Sequence, residues 1–388
     1  MLPDMHLKRN QYDFIFLGMG LASLSLVMRM LRSGKFSDKK ILLIDRAPKN
    51  KNDRTWCFWE KGPGFFEHIV HRRWPHISFL SDEFSSNLDI SPYEYKMIRG
   101  HDLYSYCLQE LQQHEQFELV YADINDWNWD GKLAILQLNG ESIQLGAPYL
   151  FNSIYIPSRE QKPLTLLQHF KGWLIETDQP EFDRSKAIMM DFRVHQDHGT
   201  SFAYVLPFSE TQALVEYTLF TRELLKPGKY DEELKEYISH FAGIKNYRVI
   251  EEEFGVIPMT SEKFKFRDKA FNIGTAGGQT KGSSGYTFQF IQKNSEVIFQ
   301  KLLKKENLET MPATGKRFQF YDNVLLYILY NDKLPGKHIF SQLFKRNKAQ
   351  QVLKFLDNET TLGEELKIIS TLPTLPFLKA AVKVVSGK

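Results

Sequence analysis

The chain has 388 residues, 25% of them charged and 42% hydrophobic, with a formal net charge of +3. These values fit a folded protein long enough for two domains; they argue against a disordered chain and against a general basic field for nucleic acid. Two cysteines, Cys57 and Cys107, cannot build a disulfide framework and sit in no CxxC or zinc-ligand pattern, so no metal and a reduced, cytoplasmic setting are expected.

Residues 12–45 predict strand, turn, helix and strand. Phe14 to Leu17 is apolar, Gly18-Met19-Gly20 breaks the run, and Leu24, Val27, Met28 and Leu31 recur at helical spacing until Gly34. KILLID then ends at Asp45, completing one parallel βαβ unit. After the loop APKNKND comes DRTWCFW, residues 53–59, followed by turn-rich aromatic sequence and a helix at 101–113. From 185 to 220 the period becomes two: SKAIMMDFRV, SFAYVLPF and ALVEYTLF predict three strands, the last two an antiparallel hairpin joined by SETQ. LLKPGKYDEELKEYISHF opens a helix. A second glycine cluster, FNIGTAGGQTKGSSGYTF at 271–288, lies between a strand-like run and a helical one. The last ninety or so residues have helical composition, with a capping box at Thr361-Leu-Gly-Glu364.

Gly18 and Gly20 stand where a dinucleotide's pyrophosphate must approach the first N–H groups of a helix. Ser23 replaces the usual third glycine or alanine but is small enough for close packing. Asp45 follows at the distance of a ribose-binding carboxylate, which disfavours a 2′-phosphate and selects FAD or NAD over NADP. The second cluster favours FAD, whose length needs another loop. An ordinary strand-to-helix turn and a glycine hinge are the plain alternatives.

Four segments together resemble the FAD-dependent lycopene cyclases: YDFIFLGMGLASLSL, DRTWCFW, the MMDFRV…YVLPF…ALVEYTLF block and GTAGGQTKGSSGYTF. The tail segments FKRN…VLKFLDNETTL and ISTLPTLPFLKAA resemble the family's C-terminal helices. The resemblance implies an α/β fold: a Rossmann-type FAD-binding domain (10–75, 101–160 and 265–305), an antiparallel-sheet substrate domain (76–100 and 161–264) and a C-terminal helical lobe (306–388). It also implies acid-catalysed, non-redox cyclisation of lycopene or a related linear carotenoid, most simply to β rings. The cofactor would be reduced FAD, with NAD(P)H as external reductant. Arg54 and Thr55 match the RTWCFW element, where cofactor contact is expected; Trp56 and Trp59 suit packing equally well. Gly274, Ala276, Gly277 and Gly278 form the second cofactor loop. Thr275 stands where many flavoproteins carry aspartate, so the backbone N–H groups of Ala276 to Gly278 are expected to replace it, with a helix opening after Gly278.

Such chemistry needs a protonated acid in an apolar, water-poor site. Glu216 shares an alternating face with Leu214, Thr218 and Phe220, and it matches the family's acidic position. Asp191, on the alternating face of Met189 and Arg193, is a second candidate acid or orients Glu216, though an aspartate paired with an arginine within a strand is as readily structural. The substrate dissolves in bilayers, and no segment has the ~18 consecutive apolar residues of a spanning helix. The N-terminal MLPDMHLKRNQYD has no apolar core of a secretory signal. Peripheral association with the inner face of the cell membrane is therefore expected, through residues 318–356, where Phe, Tyr and Leu mix with Lys and Arg; a helical lobe packed on the flavin domain is the plain alternative and does not exclude it. A redox flavoprotein of the same fold (an isoprenoid reductase or a hydroxylase) is the main rival, and a non-catalytic lipid carrier the third reading.

Overall fold

Phe14–Leu17 and Ile41–Asp45, the apolar runs flanking the first glycine turn, pair in parallel in the computed structural model, which describes residues 7–158, 163–266, 268–311 and 315–386. Residues 1–6, where part of the N-terminal reading falls, lie outside the described residues. Helix Leu21–Ser33 makes the crossover and ends on Gly34, whose left-handed backbone closes it. Three more strands join in parallel, in the order 271–272, 149–152, 14–17, 41–45 and 117–121. The two leading strands are buried along their whole length, as a parallel sheet covered on both faces requires. Helix Phe288–Leu303 lies against Leu21–Ser33, where buried Arg29 donates to Glu296 Oε2 (2.9 Å) and Gln292 Oε1 (3.1 Å).

The predicted hairpin, Thr200–Pro207 with Gln212–Thr221, is antiparallel and sits inside a seven-stranded sheet. The order there is 248–260, 165–176, 212–221, 200–207, 186–191, 76–80 and 86–89. Adjacent residues on a strand point to opposite faces, so each face of this sheet buries its own core. Phe202, Tyr204, Leu214 and Phe220 belong to one; Ala203, Val205, Val215 and Tyr217 belong to the other. Two three-stranded antiparallel sheets complete the β structure of the described residues, 124–146 and the set 55–60, 94–99 and 72–74.

Three expectations require correction. Residues 318–356 form helices Lys316–Tyr330, Gly336–Arg346 and Ala349–Leu356, whose Phe318, Leu326, Phe340, Phe344 and Val352 are buried. Their apolar side chains pack into the core shared with the sheet, as the packed-lobe reading expects. The exposed apolar stripe lies further on: Leu375, Leu378, Val382 and Val385 of helix Thr374–Ser386 are 59–77% exposed. No helix among the described residues is long and apolar enough to cross a membrane. Next, no α-helix opens after Gly278. A short 3-10 turn, Gly274–Gly277, is closed by Gly278 in left-handed conformation (φ 74°), and the helix begins at Phe288. Last, strand Lys186–Asp191 stops at Asp191, so Arg193 is not on a continuing alternate face and instead folds back on that aspartate. The capping box at Thr361 forms as expected.

Candidate active site

The two glycine loops, far apart in sequence, meet. Gly18 has φ 92°, and a Cβ there would lie 2.3 Å from Ser153 Oγ, so both backbone and space demand glycine. Gly20 differs: a Cβ would meet nothing within 4 Å, and the helix that follows opens with no side-chain cap. Open space above uncapped N–H groups is the local form of an anion site. Ser23 is fully buried, with Oγ 3.3 Å from Ser153 Oγ, and holds the helix against the neighbouring strand end. Asp45 Oδ2 accepts from Met19 N (2.7 Å) and pairs with Lys49 Nζ (3.1 Å), tying the strand end to the turn; Oδ1 receives one long bond, from Ala47 N (3.4 Å).

Gly274 (φ 64°) places its Cα beside helix Leu21–Ser33, where a Cβ would lie 3.0 Å from that of Ala22. A Cβ on Gly277 would strike Asn272 O at 2.4 Å. The N–H groups of Gly277 and Gly278 bond to Ile273 O and Thr275 O, so they are not free to replace an aspartate; Ala276 keeps that role open. Thr275 and Ser153 line one wall of a cavity of about 370 Å³.

Glu216 lines the same cavity. It is 8% exposed, and Thr218 Oγ1 donates to its Oε1 at 2.8 Å. Burial, followed by the nearby Glu253 carboxylate, raises its pKa well above the ordinary carboxylate range; the Thr218 bond opposes this more weakly. Aromatic side chains share the rest of the wall with aliphatic Leu206, Val256 and Ile257 and polar Gln168. Tyr95 and Tyr204 are buried, and burial pushes both phenols up, so they stay neutral. Tyr286, Phe170 and Trp56 also line it, with the start of helix Phe288–Leu303 at its edge. Trp59, nearly fully buried, packs edge-on against Tyr286 at 4.7 Å and has a packing role. A larger groove of about 750 Å³ runs beside Arg222 and Asp332, but neither Glu216 nor a glycine loop lines it.

Asp191 is not brought to this cavity. It pairs in register with Ala203, which pairs with Tyr217, so it faces the opposite core. Arg193 clamps it through Nε and Nη2 (2.9 and 2.6 Å), and Tyr237 donates to Oδ2 at 2.9 Å. Arg54 is exposed, its guanidinium bonded to Asp53 O, although it reaches the cavity rim. Thr55 Oγ1 donates to Glu253 Oε2 at 2.6 Å. Sequence reading missed Glu253, Tyr95, Tyr204 and Tyr286. Glu253 lies in RVIEEEFGVIPMT, where three successive acids conceal which one faces inward.

The sequence profile described as "Lycopene cyclase protein" matches residues 13–382. A lycopene beta-cyclase of Paracoccus sp. is 25% identical over 399 residues, covering 94% of this chain and 95% of the relative. Among solved structures, the flavin-dependent brominase Bmp2 aligns with TM-score 0.61 at 12% identity over 97% of this chain and all of that one. The flavin-dependent monooxygenase PieE, solved with FAD and substrate, aligns with TM-score 0.60 at 12% identity, covering 98% of this chain and 72% of its own. At such identity these structures establish the flavoprotein fold.

Proposed function

The chain belongs to the lycopene cyclase family, and on that premise we propose that it cyclises the ends of lycopene or a related linear carotene to β rings, with Glu216 as the proton donor. The observation that carries this reading is a buried carboxyl, its pKa raised by desolvation, facing a cavity lined by aromatic residues, by Thr275 of the second glycine loop and by Ser153, which packs against Gly18. The carboxyl gives its proton to the terminal double bond, leaving a tertiary carbocation. The neighbouring double bond closes the six-membered ring, and a proton leaves the ring to restore a neutral product. No net oxidation occurs. Tyr95, Tyr204 and Tyr286 present π faces to the cation and keep water away.

The residues fit FAD. Gly18, Gly20 and the uncapped start of helix Leu21–Ser33 would hold the pyrophosphate, Asp45 Oδ1 the ribose, and the Gly274–Gly278 turn with Thr275 the flavin end. Reduced flavin, regenerated by NAD(P)H, would supply negative charge beside the carbocation. Gly20→Val tests this contact selectively, because its side chain enters empty space. The expected result is a folded protein without FAD; wild-type flavin occupancy would remove the assignment.

The division of labour proposed is a cofactor domain around the parallel sheet, a substrate domain around the seven-stranded sheet, and a C-terminal helical lobe. That lobe docks on the inner membrane face through Leu375, Leu378, Val382 and Val385, bordered by Lys379 and Lys383. Replacing Leu378 and Val382 together by Asp should lower co-sedimentation with anionic vesicles by about tenfold or more, with cyclisation in detergent retained; unchanged sedimentation would place docking elsewhere. The activity itself is tested by expression in a bacterium that accumulates lycopene. Cyclic products of unchanged mass support the cyclase, whereas a gain of hydrogen or oxygen supports a redox enzyme.

A further inference from the structure

Four residues stand in one register row across four adjacent strands. Tyr204 pairs with Glu216, Glu216 with Gly172, and Gly172 with Glu253. Directly paired residues share a face of the sheet, so Glu216 and Glu253 flank a position that has no side chain. The gap is needed: a Cβ on Gly172 would lie 2.9 Å from Glu253 Cγ and 3.2 Å from its Oε1. Across it the two carboxyl groups come within hydrogen-bonding reach.

The remaining contacts give the pair a direction. Glu253 Oε2 is occupied by the Thr55 hydroxyl at 2.6 Å. Its Oε1 is buried and receives no N–H or O–H from the other described residues, although the residue as a whole is half-buried. A buried oxygen left in that state is costly. The protonated carboxyl of Glu216 is the donor it lacks.

We infer that Glu253 is the positioning residue of the proton donor: over the bare Cα of Gly172 its carboxylate accepts the hydrogen bond of the Glu216 carboxyl, and the two acids carry one proton between them. This rests on the reading of Glu216 as the acid. In each ring closure one proton leaves Glu216 for the double bond and one returns from the ring, so the pair passes from one negative charge to two and back. The second charge exists only while the carbocation does, and two carboxylates so close are tolerable only beside a cation. The pair thus holds the acid protonated in the resting state and stabilises the ion that its discharge creates. Glu253 also fixes which Glu216 oxygen carries the proton, since Thr218 donates to Oε1.

The other titratable groups facing the pair are Cys57 and Tyr95 from the strands opposite, Tyr204 from the adjacent strand and Tyr286 from the second loop region, all held neutral by burial. Among charged groups, Glu251 and Arg54 act on Glu253 with opposite sign. None of them accepts from Glu216, so removal of the Glu253 charge should have a specific signature.

The experiment is the pH profile of lycopene cyclisation by the FAD-loaded enzyme in detergent, with the flavin held fully reduced and monitored by absorbance. Wild type should lose activity on the alkaline side, as Glu216 deprotonates. Glu253→Gln should move that limb acidward by about one pH unit or more, with flavin content unchanged, and Glu253→Asp should move it less. An unmoved limb in folded, flavin-loaded Glu253→Gln overturns the pairing. If that variant does not fold, infrared titration of the wild type decides: a hydrogen-bonded carboxylic acid band that Glu216→Gln removes is expected, and a free, unbonded acid band overturns the inference. Full activity in Glu216→Gln would instead overturn the assignment of the acid, which separates the two failures.

Discussion

Each face of the seven-stranded sheet buries a candidate acid, Asp191 on one and Glu216 on the other, and the two are treated in opposite ways. Asp191 meets the Arg193 guanidinium and the Tyr237 hydroxyl, so its charge is compensated on both oxygens. Glu216 meets one hydroxyl, a second carboxyl and aromatic walls, so its pKa is raised well above the ordinary carboxylate range. Both acids are nearly or fully buried, at 0% and 8% exposure. Burial by itself therefore decides neither role. The partner that each acid finds on its own face decides it, and one strand position is enough to exchange the partners.

The largest expected effect breaks the comparison on the Glu216 side. Glu216→Gln keeps shape and polarity but removes the transferable proton, so cyclisation should fall by about 10²–10⁴-fold with fold and FAD content retained. A near wild-type rate would show that the sheet's other face, or the flavin, holds the acid. On the opposite face Asp191→Asn should act on stability. It leaves a half-buried Arg193 without its carboxylate, a loss of about 2 kcal/mol by chemical denaturation, while the rate per folded, flavin-loaded molecule stays close to wild type. A loss of turnover without loss of stability would move Asp191 into the chemistry.

The smallest effect is a slope. Glu216 titrates near pH 4.3 in the unfolded chain and well above that when folded. Its contribution to stability is therefore complete below about pH 4 and is lost as pH rises through the folded value. Glu216→Gln should flatten the decline of unfolding free energy toward alkaline pH, and Glu253, also raised by burial, should leave a residual slope. Parallel curves for wild type and variant would mean that Glu216 is ionised in the folded protein.

Much of this was legible in the sequence because it is local. Phe14–Leu17, the glycine turn, helix Leu21–Ser33 and Asp45 follow from periodicity and backbone chemistry within one stretch. The hairpin carrying Glu216 follows from period-two alternation and a short polar turn. Residues 318–356 read as an interfacial stretch because apolar residues alternating with cations look alike whether the apolar side meets a bilayer or a core. Phe318, Phe340 and Phe344 found the core, and Leu375, Leu378, Val382 and Val385 did not. Asp191 and Glu216 also read alike, each an acid with apolar neighbours on a strand.

By itself the sequence determined the parallel βαβ unit, the two glycine loops and a strand with one inward acid, since each is specified by neighbours along the chain. The tertiary structure decided that Gly274 docks on Ala22, that Asp191 and Glu216 face different cores, and that Glu253 reaches Glu216 across Gly172. These depend on strand order and register, which are fixed by burying whole faces at once, and a shift of one residue in any pairing would exchange the faces.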